Sequence, residues 1–324
     1  MAVSFRERSS LIEIYEHVHQ KTFFAFMIST NHPTVYQPRE WETVACPFCG
    51  SANASLYEKY GSELQYTYVI CNECKLVYQS PRPKYDQVFI DAAYASYYQF
   101  TESLDLNSNP DVPESGVSMF KKEVENLLRY DTSRTAVLDI GSGMGTFLVA
   151  AKPHYKEAVG LDVSAQMAAF VQRQLGVKVV LEQFENFHYD KKFSLIHMSH
   201  VIEHIPNPKE WLDKARQMLE RGGILVINVP NKFSISFRMQ HLFYKLKLKK
   251  QFSDAWADPS RTPDHLFEPT VPSMLRFLKQ NDFEVLDYFS YSRKDPVSNG
   301  SPLSRFTNRF LHIGSNLSFI TTPK

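Results

Sequence analysis

The segment Ala136 to Phe147, AVLDIGSGMGTF, narrows the folds open to this chain more than any other stretch. A short continuous apolar run predicts a buried strand, and it enters a turn with a glycine at every second position. A helix is expected from about Thr146 to Lys152, with Pro153 ending it. Strand, glycine turn and helix in this order make the nucleotide-binding corner of a doubly wound α/β sheet. The dinucleotide fingerprint is GxGxxG/A, whereas the spacing here is GxGxG and Thr146 stands where the third small residue belongs. Asp139 closes the strand; a carboxylate there is awkward beside a pyrophosphate and useful beside a sulfonium ligand that also carries an ammonium group.

A second unit follows. Ala158-Val-Gly-Leu-Asp162-Val163-Ser164 reads as a strand ending in an acid 23 residues after Asp139, where a carboxylate accepts hydrogen bonds from ribose hydroxyls. Ser164 caps a helix whose Met167, Phe170, Val171 and Leu175 form one face and which Gly176 closes. A third strand, Val177 to Leu181, leads to Glu182 and Gln183, placed to meet an adenine edge. Val163 beside Asp162, and Ser199 at the end of a fourth strand, complete the candidate cofactor set. The pattern favours S-adenosylmethionine over NAD; a plain strand-to-helix turn, the bland alternative, needs one or two glycines and not the paired acids.

These motifs carry a resemblance. Residues from about 118 to 230, through VLDIGSGMGTF, AVGLDVS, FSLIHMSHVIEHIPNP and LERGGILVINVPN, resemble a class I methyltransferase of the family typified by ubiquinone-biosynthesis O-methyltransferases. The downstream DHLFEPTVPSMLRFLKQNDFEVL matches as well. The resemblance implies a doubly wound, mostly parallel, seven-stranded Rossmann-like α/β sheet, and cofactor contacts from Asp139, Gly141, Gly143, Asp162 and Glu182. The last hairpin is expected from Phe283–Tyr288 and a strand near Leu317–Thr321, with cofactor and substrate meeting at the carboxyl ends of the strands. Asn207 and Pro208 are expected to cap and start a helix with Trp211, Leu212, Ala215, Met218 and Leu219 on its apolar face, ended by Gly222.

After the fourth strand comes Ser199-His200-Val-Ile-Glu203-His204-Ile-Pro206. Read literally, His200-x-x-Glu203-His204 is the HxxEH metalloprotease motif, which needs a long helix to bring both histidines over one zinc. A strand before it and Pro206 after it exclude that helix. His200 or His204 is a candidate general base, with His265 as a third candidate on the substrate side. Related O-methyltransferases carry acids and a histidine here that bind a divalent ion, and this chain has His200 where an acid is expected. The structural alternative for each histidine is a loop- or turn-shaping hydrogen bond.

All four cysteines fall within 29 residues, as Cys46-x-x-Cys49 and Cys71-x-x-Cys74 separated by 21 residues. Two such knuckles predict a tetrahedral thiolate site for structural zinc, with Gly50 supplying the positive φ of the first turn. The β-rich runs Tyr66–Ile70 and Leu76–Tyr78 complete a zinc ribbon. Disulfides are disfavoured in a cytosolic chain, and two redox pairs would lack their βαβ setting. Four protein ligands leave no open position, so the metal holds structure and does not catalyse. A ribbon ahead of such a domain resembles an arrangement recurrent among bacterial methyltransferases, including sugar C-methyltransferases.

The expected division is 1–40, a helical extension with an amphipathic stretch over 9–28; 41–82, the ribbon; 83–117, a linker turning helical around Asp86–Tyr98; and 118–324, the methyltransferase domain. Its substrate-side insert, 232–264, is aromatic and basic (Phe233, Phe237, Phe243, Tyr244, Lys245, Lys247, Lys249, Lys250) and reads as a solvated helix before it reads as a lid or as a surface for an anionic substrate or a membrane. The apolar run Thr22–Thr30 is too short to span a membrane, and the chain reads as cytoplasmic. With 36 basic and 35 acidic residues, the +1 net charge counts against nucleic acid as a partner. So does Ser199-His200-Val201-Ile202, standing where enzymes that methylate exocyclic base amines carry an (Asp/Asn)-Pro-Pro-aromatic motif. The reading is methyl transfer, O-methylation favoured, to a small-molecule or glycan acceptor. An RNA methyltransferase using the ribbon as an RNA grip and a non-catalytic cofactor-binding module are the rivals.

Overall fold

A computed structural model describes residues 38, 40–60, 64–92, 114–234, 237–239, 264–292, 303 and 306–324. The expected helix over 9–28, residues 93–113 of the expected linker, and most of the 232–264 insert, including Phe243, Tyr244, Lys245, Lys247, Lys249 and Lys250, lie outside them. Among the described residues no helix is long and apolar enough to cross a membrane.

The main sheet has seven strands. They are β6 (Ala136–Ile140), β7 (Glu157–Asp162), β8 (Lys178–Leu181), β9 (Phe193–Ser199), β10 (Leu219–Pro230), β12 (Phe283–Tyr291) and β13 (Asn316–Pro323), in the order β12-β13-β10-β9-β6-β7-β8. From β8 across to β10 neighbours run parallel, and β13 is antiparallel to both its neighbours. The chain order reverses between β6 and β9, so the crevice beyond their carboxyl ends is the expected ligand site.

Parallel strands are covered on both faces, which is why β6 and the first six residues of β9 are buried throughout. Alternation sorts their side chains. Val137, Leu195 and Val226 pack with α1 (Glu114–Leu127) and α2 (Thr146–Ala151). Leu138, Ile196 and Leu225 pack with α4 (Pro208–Met218), α5 (Val271–Gln280) and the cysteine-bearing module. α3 (Ala165–Leu175) has the expected ends: the Ser164 hydroxyl accepts from Met167 N, and Gly176 closes it at φ 57°. Thr270 and Ser273 form a reciprocal capping box at the start of α5.

α2 ends at Ala151, ahead of Pro153 as expected, and Pro153 lies in the single 3₁₀ turn Lys152–His154 that follows. Asn207 and Pro208 take the expected cap and first-turn positions, although the Asn207 side chain makes no cap hydrogen bond. One local expectation is corrected. Gly222, at φ 76°, does not end a helix: it sits within β10, where the register to β9 shifts between Leu219 and Ile224. Leu219 is already paired with Phe193, so α4 stops at Met218 and the glycine absorbs the irregularity.

The smaller sheet is built from β2 (Ala54–Tyr60), β3 (Tyr66–Cys71), β4 (Val77–Gln79) and β11 (Phe267–Glu268), in the order β11-β4-β3-β2. Its last strand comes from beyond the insert, nearly 190 residues further along the chain. A short pair, β1 (Trp41–Glu42) with β5 (Arg82–Pro83), closes the module where the chain enters and leaves it. Residues 87–92 are helical, within the expected Asp86–Tyr98 stretch.

Candidate functional site

The glycine loop between β6 and α2 is braced by β7. Gly141 N and Ser142 N both donate to Leu161 O, at 2.8 and 3.1 Å. Asp162 Oδ2 accepts from Gly143 N at 2.8 Å, and its Oδ1 accepts from Ser164 N at 2.9 Å. Gly141 must be glycine twice over: its φ is 70°, and a Cβ there would stand 2.7 Å from Val201 Cγ2. Gly143, at φ 48°, has nothing within 4 Å of where a Cβ would be, leaving its backbone open to a ligand. Val163, 53% exposed, forms an apolar shelf beside Asp162, and Glu182 N donates to Asp162 O, bringing the exposed Glu182 and Gln183 to the same edge. Asp162, Val163, Glu182 and Gln183 therefore gather at one end of the loop, and half-buried Ser199 sits at the end of β9 beside Asn228.

Asp139 differs from Asp162. It is 3% exposed and its Oδ1 lies 2.7 Å from His197 Nδ1. His197, on the α1/α2 face of β9, is 1% exposed and stacks on Phe147 at 3.8 Å between centroids. Its Nε2 is 3.5 Å from Glu123 Oε1 on α1, the oxygen that also accepts from Asn228 Nδ2 at 2.7 Å. Burial works against a charged imidazole, but the Asp139 and Glu123 carboxylates outweigh it and hold His197 up at about 9. One imidazole thus ties β6, β9, β10 and α1 together beneath the glycine loop. Sequence reasoning missed His197, Glu123 and Asn228. The one available signal was an imidazole inside a strand otherwise built to be buried on both faces, since a buried polar group needs partners.

On the other side of the loop lies a second cluster. His200 has φ 56°, donates its N–H to Asn228 O at 2.9 Å, and exposes 44% of its side chain. Its Nδ1 is 3.6 Å from Glu203 Oε1. Glu203 is fully buried, and neither carboxylate oxygen has a hydrogen-bond partner. Burial raises that carboxyl, but His200 and His204 outweigh it and hold it below the ordinary range. His204 Nδ1 lies 2.9 Å from Asp264 O, a carbonyl that only accepts, so Nδ1 carries a proton. The His204 and His265 rings meet edge to face at 4.8 Å, and His265 Nδ1 is 3.0 Å from Glu268 Oε1. Lys232 also pairs with Glu268; burial outweighs the nearby acids and pulls its ammonium down to about 7.

Ligand atoms of Glu203, His204 and His265 all lie within 4.8 Å of one another, a donor set that fits a divalent cation. Glu203 and His204 belong to a single 3₁₀ turn, Ile202–His204, so the long helix of a metalloprotease is absent here. The three catalytic candidates read from the sequence, His200, His204 and His265, thus meet around Glu203. Val201, between two of these residues, is the side chain that packs on Gly141.

The cysteines converge as predicted. Cys46 and Cys74 Sγ are 3.4 Å apart, Cys49 and Cys71 Sγ 3.6 Å, and none is in a disulfide. Four sulfurs around a tetrahedral zinc at ~2.3 Å stand about 3.8 Å from one another, so the quartet fits the ion. The hydrogen bond with Cys74 and burial push Cys46 up, while the bond from Cys46 brings Cys74 down to about 5. The two knuckles turn alike, Gly50 at φ 72° and Lys75 at φ 64°, so glycine is not obligatory there.

Residues 118–288 match the family model of a methyltransferase domain, and residues 30–80 match that of a PaaD zinc beta ribbon domain. An uncharacterized protein of Methanocaldococcus jannaschii is 30% identical over 135 residues, 41% of this chain and 62% of that protein's own length. The ubiquinone biosynthesis O-methyltransferase of Glaesserella parasuis serovar 5 is 28% identical over 169 residues, 48% of this chain and 67% of the relative. Among solved structures, an S-adenosylmethionine-dependent methyltransferase from Clostridium acetobutylicum aligns with 70% of this chain and 98% of its own, at 15% identity and a TM-score of 0.45.

Proposed function

Because this chain belongs to the methyltransferase-domain family, we propose that it transfers a methyl group from S-adenosylmethionine to a small-molecule or glycan acceptor, with oxygen as the favoured nucleophile. The observation that carries the reading is the packing of Val201 on Gly141, which sets the His200/Glu203/His204/His265 cluster against the cofactor loop. When bound, S-adenosylmethionine supplies an electrophilic methyl carbon on a sulfonium. Asp162 binds the ribose hydroxyls once it exchanges its loop hydrogen bonds for them. Val163 and the Glu182–Gln183 edge bind adenine, and the open backbone at Gly143 and Ser199 border the methionine end. His204 and His265, each anchored through Nδ1, serve as general base on the acceptor side, and exposed His200 lines the approach.

A second reading of the same cluster is favoured by the buried carboxylate of Glu203, neither oxygen of which has a hydrogen-bond partner. Glu203, His204 and His265 would hold a divalent cation, which would acidify and orient an acceptor hydroxyl. Zinc in the cysteine quartet is structural. The division 1–40, 41–82, 83–117 and 118–324 stands as our proposal for the whole chain, with β11 lent by the last part to the second. A nucleic-acid role has no support in the balanced charge.

Calorimetry with S-adenosylmethionine and S-adenosylhomocysteine on zinc-replete protein tests the reading. Asp162→Ala is expected to weaken both by about 100-fold, the loss of about 3 kcal/mol from two hydrogen bonds to a carboxylate. A folded, zinc-loaded wild type that binds neither ligand sinks the assignment.

A further inference from the structure

His265 is held from two sides, by its own domain and by the cysteine module. Its backbone carbonyl accepts two hydrogen bonds from the cysteine module, from Tyr68 Oη at 3.0 Å and from Gln79 Nε2 at 2.8 Å. Its ring is oriented by Glu268, whose backbone is paired with Val77 on β4, and Phe267 is paired with Tyr78. Leu266 joins the two halves: its carbonyl accepts from Gln79 N at 2.9 Å and its N–H donates to Glu203 O at 2.8 Å. Phe48, inside the first cysteine knuckle, stacks on Phe277 of α5 at 3.9 Å and meets Phe267 edge-on. Arg276 of α5 donates to Glu73 O in the second knuckle at 2.7 Å. The cofactor loop, by contrast, is braced by β7 and by α1 through the His197 network.

We propose that the zinc ribbon is the template of the acceptor half of the site, with Tyr68 and Gln79 as positioning residues that set His265 against Glu203 and His204. The proposal rests on the reading of that cluster as the acceptor side. A two-residue strand has too little pairing of its own to hold a catalytic imidazole, and joining it to a metal-stiffened sheet removes that freedom. The ribbon then has work that needs no nucleic acid, which accounts for the balanced charge of a chain that carries one.

The test uses the full chain labelled with ¹⁵N-histidine, wild type and Tyr68→Phe/Gln79→Met, a pair that deletes both donors and keeps side-chain volume. Ring signals of His265 are assigned by their loss in His265→Gln. The double variant is expected to keep its zinc and to bind S-adenosylmethionine within about threefold of wild type, while the His265 and His204 ring signals shift and amide exchange over 265–268 rises by about tenfold. Unchanged ring signals and exchange overturn the proposal, and so does cofactor affinity falling as far as exchange rises. Should the double variant not fold, zinc is stripped from the wild type with a chelator. Protection lost over 264–268 together with 44–80 supports the coupling, and loss confined to 44–80 overturns it. A wild type that binds no S-adenosylmethionine overturns the functional reading alone, because ring signals and exchange report the coupling without cofactor.

Discussion

Cys71→Ser is expected to abolish zinc uptake and to unfold the ribbon while the seven-stranded sheet stays folded. Cys71 is fully buried at the end of β3, its Sγ 3.6 Å from that of Cys49, and its N–H donates to Leu76 O within the second knuckle. A module of roughly forty residues buries too little apolar surface to fold alone. Structural zinc contributes about 10–16 kcal/mol in comparable thiolate sites, and its binding is folding free energy. A serine hydroxyl stays protonated near neutral pH and leaves a three-thiolate site, so affinity falls by orders of magnitude. Atomic absorption together with thiol titration checks this: the variant should carry almost no zinc, and its three remaining cysteines should react at once. Zinc retained at wild-type strength, with slow thiols, would refute a four-thiolate site.

His197→Ala carries the second large effect, a loss of about 3–5 kcal/mol near neutral pH, because it strands Asp139 and Glu123 as buried carboxylates without their cation. The effect depends on pH with a definite sign. His197 is held at about 9 in the fold, above its ordinary 6.5. Its charge therefore contributes stability that is fully present below about 6.5 and is lost as pH rises through about 9. Urea unfolding of wild type and variant should show the widest gap at pH 6 and a gap narrower by about 3 kcal/mol at pH 10. A gap that does not change with pH would mean the imidazole is neutral in the fold. The variant should also weaken S-adenosylmethionine binding, since Asp139 loses the partner that orients it beneath the glycine loop.

The cysteine module and His197 lie on opposite faces of the main sheet. The cysteine sheet pairs with β11 and packs against α5, on the face of Leu138 and Ile196. The imidazolium network lies on the opposite face, with α1 and α2. Asn228 touches both sides: its amide donates to Glu123, and its carbonyl receives the N–H of His200. Methyl transfer needs cofactor and acceptor aligned within a fraction of an ångström, which gives a physical reason for bracing each half separately.

What the sequence determined by itself is whatever chemistry writes at short range. AVLDIGSGMGTF encodes a strand, a turn that only glycine makes at Gly141, and a helix start; Ser164 and Gly176 encode both ends of α3; two CxxC pairs encode a metal quartet. In each, the deciding partners lie within a few residues or recur at a diagnostic spacing. The tertiary structure alone decided the rest. Asp139 meets His197 across 58 residues and Asn228 meets Glu123 across 105, and nothing local in FSLIHMS names either partner. Gln79 reaches His265 across 186 residues, so the ribbon's place beside Glu203, His204 and His265 was invisible in CPFCG and CNECK. Even Gly222 was misread, because a glycine after an apolar helical face looks like a helix end until Leu219 finds Phe193. Local conformation follows from backbone sterics and capping, whereas a buried polar group is placed by whichever distant partner satisfies it once the sheet has assembled.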